Sequence, residues 1–243
     1  MILIVALWTL LFLTVLAVSA GMGTRQKIIL LGRLQDRAEV QGALEAGIKK
    51  GVSLLMDDLE NNQFLYSPDG KQRRHHNPDE LSGIRVGDVT VDVVCRQAFG
   101  AGGLVREIYG LCDEQGLLNI NVADRLVLAR LMALVLGIRD DEAQDLADNI
   151  VDWRDYGKRQ QEGFFSDEYY SQLEHPYEMK ETPFERIDEL LLVKGITKGI
   201  YDALRPFVTV WGDGRVNINT VPGVVLQAFG LDPEVVEKIL RAR

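Results

Sequence analysis

Five carboxylates stand close together in one stretch of this chain: Asp152, Asp155, Glu162, Asp167 and Glu168, interleaved with a tryptophan and two tyrosines. Hard oxygen ligands of this kind suit calcium, which takes about six to eight oxygens at roughly 2.3 to 2.6 Å. Their spacing is not that of an EF-hand loop, and a solvated acidic face has the same composition. The block around them is strongly acidic, with sixteen acidic residues against five basic ones between Asp140 and Glu189, in a chain whose formal net charge is −9. Such a surface repels nucleic acid and attracts cations.

Other reactive side chains are sparse. The histidines are the adjacent His75 and His76 and the distant His175, and the cysteines are Cys95 and Cys112. Neither set has the spacing of a zinc site, and no serine sits in a nucleophile motif. Nothing in these patterns suggests an enzyme. The two cysteines fall on neighbouring predicted strands, so they form either a disulfide, if the soluble part lies outside the cytoplasm, or a buried free pair.

The elements that hold these residues begin with an uncharged run, Met1 to Ala20. A helix of about twenty residues crosses a hydrocarbon core of roughly 30 Å. The run starts at the first residue, without the basic region that opens a secretory signal, so either a basic leader has been removed or the chain begins in the bilayer. An uncleaved signal peptide is the alternative, because Val18-Ser19-Ala20 resembles a cleavage site. Apolar residues then recur at helical spacing through Leu30, Leu34, Leu44, Ile48, Val52, Leu55 and Leu59. This predicts one long amphipathic rod, or two helices broken at Gly21 and Gly23, with a stripe for a sheet or a second helix to cover.

A loop rich in turn signals follows from Asn61 to Glu80. Val86 to Ala98 and Leu104 to Cys112 read as an antiparallel hairpin, with a third strand at Leu117 to Asn121. Helical periodicity takes over near Asp124 and runs through Trp153 with a break at Gly137 to Asp140, then continues less regularly to Arg205. A second hairpin is expected from Phe207 to Trp211 and Arg215 to Asn219, joined by Gly212-Asp213-Gly214. Gly116-Leu117-Leu118-Asn119-Ile120-Asn121 is echoed by Gly214-Arg215-Val216-Asn217-Ile218-Asn219, each followed seven positions on by a leucine, Leu128 and Leu226. In both copies the last asparagine, Asn121 or Asn219, stands where a helix N-cap is wanted.

Several segments together resemble a known family. They are Ile150 to Asp155, Glu168-Tyr169-Tyr170, Pro176-Tyr177, Thr182-Pro183, Asp188 to Gly195 and Val216 to Thr220. In order and spacing they are similar to the K-type minor pseudopilin of type II secretion systems. The resemblance implies an α+β, pilin-like fold: a long N-terminal helix packed on a small antiparallel sheet, with an inserted, mostly helical domain. The expected organisation is a transmembrane half-helix at 1–22, an amphipathic half at 23–60, a pilin-like domain at 61–121 and 207–243, and a helical insertion at 122–206, with the C-terminal part truncated if the family's usual length applies.

The resemblance also implies removal of a leader, leaving a methylated Met1 at the terminus. Most pseudopilins carry a glutamate at the fifth position, where it pairs with a neighbouring subunit's terminal amine; here the residue is Val5, as in K-type members, which resemble a cap at the pilus tip. An unpaired carboxylate in hydrocarbon costs about 2.5 kcal/mol or more, so a subunit with none above it does better without one. The implied role is a non-enzymatic tip subunit in the bacterial inner membrane, its globular part periplasmic, helping to export folded proteins. The implied partners are I-type and J-type minor pseudopilins, the major pseudopilin and the inner-membrane assembly platform. Calcium is the implied ion, with Asp152, Asp155, Asp167 and Glu168 as candidate ligands.

A second reading starts from Leu192 to Ile196 and Val221 to Val224, which resemble the glycine turns of helix-hairpin-helix modules. An anchored DNA receptor of a competence-type uptake system would combine such turns with an N-terminal span. The acidic surroundings oppose that reading, and no nucleic-acid partner is expected.

Overall fold

The computed structural model describes residues 1–60, 78–99, 103–155 and 166–242, with the side chains of 20–24, 58, 59, 78, 99 and 166–168 left aside. It opens with α1, a single helix from Ile2 to Glu60 that continues through Gly21 and Gly23. A continuous rod, not a pair of helices, is therefore what the apolar periodicity specifies. It is followed by a one-turn helix, α2 (Pro78–Leu81), and by strands β1 (Ile84–Val86) and β2 (Val89–Val91).

β1 and β2 pair antiparallel, Ile84 opposite Val91, around a Gly87-Asp88 turn in which Gly87 holds φ 61°. This is the left-handed region that glycine enters without a Cβ penalty. The turn sits on α1: Asp88 N donates to Glu39 Oε1 at 3.1 Å, and Lys50 and Glu80 form an ion pair nearby. The face of α1 that covers the hairpin is made of small residues, Ala43, Gly47 and Gly51, all buried. A Cβ on Gly47 would meet Val91 Cγ1 at 3.0 Å, so the glycine is what lets the hairpin approach. The stripe picked out by periodicity, Leu44, Ile48, Val52 and Leu55, points elsewhere and is exposed. This compact unit comprises α1 with residues 78–93.

Residues 94–242 build the second unit. β3 (Val94–Phe99) and β4 (Leu104–Tyr109) form an antiparallel hairpin in full register, Val94 opposite Tyr109 and Phe99 opposite Leu104. The expected first strand thus starts at Val94, because Gly87-Asp88 had already turned the chain inside the β-branched run. Cys95 and Cys112 are joined by a disulfide. A bridge closing a loop of about this size contributes roughly 2–4 kcal/mol, mostly by restricting the unfolded chain. Replacing both cysteines by serine, or adding reductant, is expected to lower the melting temperature of the detergent-solubilised chain; an unchanged melt would show the bridge to be dispensable.

β5 (Leu118–Asn119) and β6 (Val208–Thr209) pair in parallel. This corrects the hairpin expected at Phe207 to Asn219. Residues 215–219 form no strand, because the Asn217 side chain accepts from Asn219 N at 3.1 Å and turns the backbone towards the next helix. Between the two short strands lie α3 (Arg125–Leu136), α4 (Asp140–Arg154), α5 (Ser166–Ser171), a 3-10 turn at Ile187–Leu192 and α6 (Lys198–Leu204); α7 (Gly223–Ala228) and α8 (Pro233–Ala242) follow. α3 packs against both α4 and α7, and the core between them includes Leu128, Leu131, Ala147, Ile150, Val225 and Leu226. The fold class is α+β, with a long N-terminal helix, small antiparallel sheets and further helices.

The echoed sequences fold alike. Asn119 and Asn217 each accept from the amide two residues on, at 2.8 and 3.1 Å. Their carbonyls take the amides of Val122 and Ala123 in one copy, and of Thr220 and Val221 in the other. Leu128 and Leu226 are both buried. The caps differ from those expected at Asn121 and Asn219. α3 starts after Asp124, whose side chain accepts from Leu126 N at 2.8 Å, and α7 starts after Pro222. Asn121 instead clamps the chain around Phe184, donating to its carbonyl at 2.9 Å and accepting from its amide at 2.7 Å.

Candidate functional site

Two regions could carry a function: the uncharged half of α1 and the acidic, aromatic end of α4. The first is set by composition. Among the described residues one helix is long and apolar enough to cross a membrane, over Ile2–Ser19, and none of that window is buried against the rest of the protein. Its hydroxyls are satisfied within the helix, Thr9 donating to Ala6 O at 2.9 Å and Thr14 to Leu11 O at 2.7 Å. In hydrocarbon, where no water replaces a missing partner, this back-bonding is what makes a threonine tolerable. Val5 is exposed on this helix, and Met1 precedes it.

The second region begins at the C-terminal end of α4. Trp153 is buried, its ring edge-on to Tyr170 (centroids 5.5 Å apart) and Tyr177 (6.3 Å). Tyr169 meets Tyr170 at 5.2 Å, and the Lys194 ammonium lies 5.2 Å from the Tyr169 ring centroid. Lys194 N donates to Tyr170 Oη at 3.0 Å, Tyr177 Oη donates to Leu192 O at 2.8 Å, and Asn149 donates to Lys194 O at 3.2 Å. Burial, with the neighbouring Tyr169 charge, pushes the Tyr177 phenol above its ordinary pKa. The segments 150–155, 169–170, 177 and 188–195 therefore converge on one aromatic cluster. They are distant in sequence, and the fold brings them together for packing.

Arg154 follows on the next position. Its side chain is nearly buried, donating to the carbonyls of Ile120 and Ala123 and to Asp155 Oδ1 at 3.2 Å. It ties the end of α4 to the turn that precedes α3. Nearby, the Glu189 carboxylate accepts the amides of Glu185 and Arg186 at 3.0 Å each and the Lys180 ammonium at 2.9 Å. Burial acts to raise its pKa, and these donors outweigh burial and hold it below the ordinary glutamate value.

Of the four candidate calcium ligands, Asp152 and Asp155 stand three positions apart at the end of α4, both half-buried. The side chains of Asp167 and Glu168 lie outside the described residues, as does Glu162. Among the described residues no group of three or more histidine, cysteine, aspartate or glutamate side chains is arranged to hold a metal ion. Two carboxylates offer at most four oxygens, so Asp152 and Asp155 by themselves do not complete a calcium shell.

The glycine turns are anchored by packing: Val193 and Ile196 are buried on either side of the exposed Lys194 and Gly195, and residues 221–224 are buried throughout. A Cβ on Gly195 would come within 2.8 Å of Leu146 Cδ2, and the adjacent Lys194 amide is spent on Tyr170. Val221 and Val224 are buried, with Val221 N bonded to Asn217 O.

A second polar knot joins the echoed turns. Asp113 accepts from Asn217 Nδ2 and Thr220 Oγ1, each at 2.8 Å, and Thr209 donates to Glu114 at 2.5 Å. Sequence reasoning missed Asp113, and it quoted Arg154 in a motif and Asn119 in the repeat without giving either a role; the repeated Asn-Ile-Asn pattern pointed to the right turn but to its last asparagine instead of its first.

An α+β body together with, among the described residues, one exposed, uncharged helical stretch long enough to cross a bilayer is the pattern that a single N-terminal membrane anchor would give. Residues 107–213 match the family model described as type II secretion system (T2SS), protein K. The chain is 30% identical over 142 residues to the type II secretion system protein K of Pseudomonas aeruginosa, a match covering 54% of this chain and 42% of that protein. The aligned region thus spans less than half the length of the curated relative. A crystal structure of the GspK-GspI-GspJ complex from the enterotoxigenic Escherichia coli type 2 secretion system aligns with a TM-score of 0.45 and 22% identity, over 52% of this chain and 51% of that one. The family model and the curated relative thus find the same resemblance, to type II secretion system protein K, that the motifs carry.

Proposed function

We propose that this chain is a minor pseudopilin of a type II secretion system that forms or caps the tip of the pseudopilus. It works by assembly, not catalysis. The observation that carries this reading is the match of residues 107–213 to the protein K family, on a chain whose N-terminal span is uncharged throughout. Val5 fits a tip position, because a subunit with no neighbour above it has no terminal amine to pair with a carboxylate in the bilayer. The Cys95–Cys112 disulfide fits a periplasmic body, since such bonds persist in oxidising compartments. The anchor then lies in the inner membrane.

In this role the chain assembles with I-type and J-type minor pseudopilins, then with the major pseudopilin on the inner-membrane assembly platform, to drive folded proteins across the outer membrane. Deleting its gene is expected to abolish secretion, and the full chain supplied in trans to restore it; wild-type secretion in the deletion strain would contradict the role.

The same reading includes calcium, held by Asp152 and Asp155 together with Asp167 and Glu168. The ion would join the end of α4 to the first turn of α5. Titration calorimetry of the purified chain with calcium chloride is expected to give a saturable heat, accompanied by a raised melting temperature. No heat and no shift would remove the ion from the account.

A further inference from the structure

Past the apolar span α1 becomes basic before it becomes acidic. No acidic residue precedes Asp36, while Arg25, Lys27 and Arg33 all lie upstream of it. The three are exposed, and among the described residues none of them is ion-paired. Their distance from the bilayer follows from helix geometry. Ile2–Ser19 is 18 residues, about 27 Å of helix, close to the thickness of the hydrocarbon core. Arg25 and Lys27 then stand roughly 9 and 12 Å beyond its outer end, and Arg33 roughly 21 Å.

Helical side chains tilt towards the N-terminus, which here is back towards the membrane. Long arginine and lysine arms extend that reach. The headgroup layer occupies about 5 to 8 Å on each side of the core. Arg25 and Lys27 therefore meet the phosphates, and Arg33 comes within about one screening length of them at physiological salt. The usual orientation bias puts basic residues on the cytoplasmic flank of a span, so these are not a signal for a periplasmic body. Their charge is left to face the outer headgroups.

We propose that Arg25, Lys27 and Arg33 form a collar on α1 that binds anionic phospholipid headgroups of the outward-facing leaflet. This rests on the membrane-anchored reading of Ile2–Ser19. It adds a salt-sensitive hold to the anchor, about fivefold in partitioning for each cation near an anionic surface. That hold must be released when the subunit leaves the bilayer for a filament.

The test uses the full chain with a polarity-sensitive dye on an Ile28→Cys substitution, inside the collar. It is reconstituted in vesicles of phosphatidylcholine alone or mixed with phosphatidylglycerol, and flotation is run alongside. The expected result is flotation in both lipids and a blue shift of the dye only with phosphatidylglycerol, reversed by high salt and lost in Arg25→Gln/Lys27→Gln/Arg33→Gln. A chain that floats but shows the same emission in both lipids overturns the collar and leaves the anchor standing. A shift that survives in the triple variant also overturns it. Failure to float overturns the anchor and the collar together.

Discussion

Replacing Leu11 with arginine is expected to strip the chain from membranes. Leu11 lies at the centre of Ile2–Ser19, the one described stretch long and apolar enough to span a bilayer. A guanidinium there costs about 2.5 to 3.5 kcal/mol on insertion scales, on the order of a hundredfold in the insertion equilibrium. The fraction resisting carbonate extraction should fall accordingly, whereas Leu11→Ala, which adds no charge, should stay with the membrane. The window has no buried residue, so melting of the soluble part should not move with either change. An arginine variant that stays fully membrane-bound would mean that Ile2–Ser19 is not the anchor.

Trp153→Ala should have the largest effect on the soluble part. The indole is buried and wedged between Tyr170 and Tyr177, and its Nε1 is without a hydrogen-bond partner among the described residues. Truncation of a large buried aromatic costs about 3 to 5 kcal/mol. In a chain of this length that corresponds to a fall in melting temperature on the order of 10 °C. Trp153→Phe keeps a ring in the cluster and gives up no hydrogen bond, so it should cost much less, about 1 kcal/mol. Equal melting of Trp153→Ala and the parent chain would refute the packing role given to these motif residues.

How much of this was legible in the sequence depended on the length of each signal. α1 was readable because an uncharged run merges into a heptad-like stripe without a proline, and α3 and α4 because Gly137, at φ 64°, punctuates an otherwise continuous helical pattern. The hairpin of β3 and β4 was readable from β-branched residues around a glycine-rich turn. The parallel pairing of Leu118–Asn119 with Val208–Thr209 was not. Two-residue strands carry no period, and the partners here are separated by about ninety residues that include, among those described, four helices. The contact face of α1 was misjudged for a related reason. Periodicity weights large apolar residues, whereas the hairpin docks on Ala43, Gly47 and Gly51, chosen for what they lack.

The candidate site was legible in a different sense. The motif segments around Trp153 were legible only as a resemblance; in the described structure they meet as packing and capping groups. Tyr170 holds the Lys194 amide, Asn149 the Lys194 carbonyl and Arg154 the turn before α3. An Asp or Tyr in a short motif does not distinguish a ligand from a clamp, because both need the same hydrogen-bonding atoms at the same place. Asp155 is one such clamp, engaged by Arg154.

The most direct measurement is co-purification of the full chain, tagged and co-expressed with the I-type and J-type minor pseudopilins proposed as its partners, from solubilised membranes. A tip subunit should bring down both partners in a constant ratio. Elution of the chain alone, under conditions in which the other two remain paired, would contradict the account.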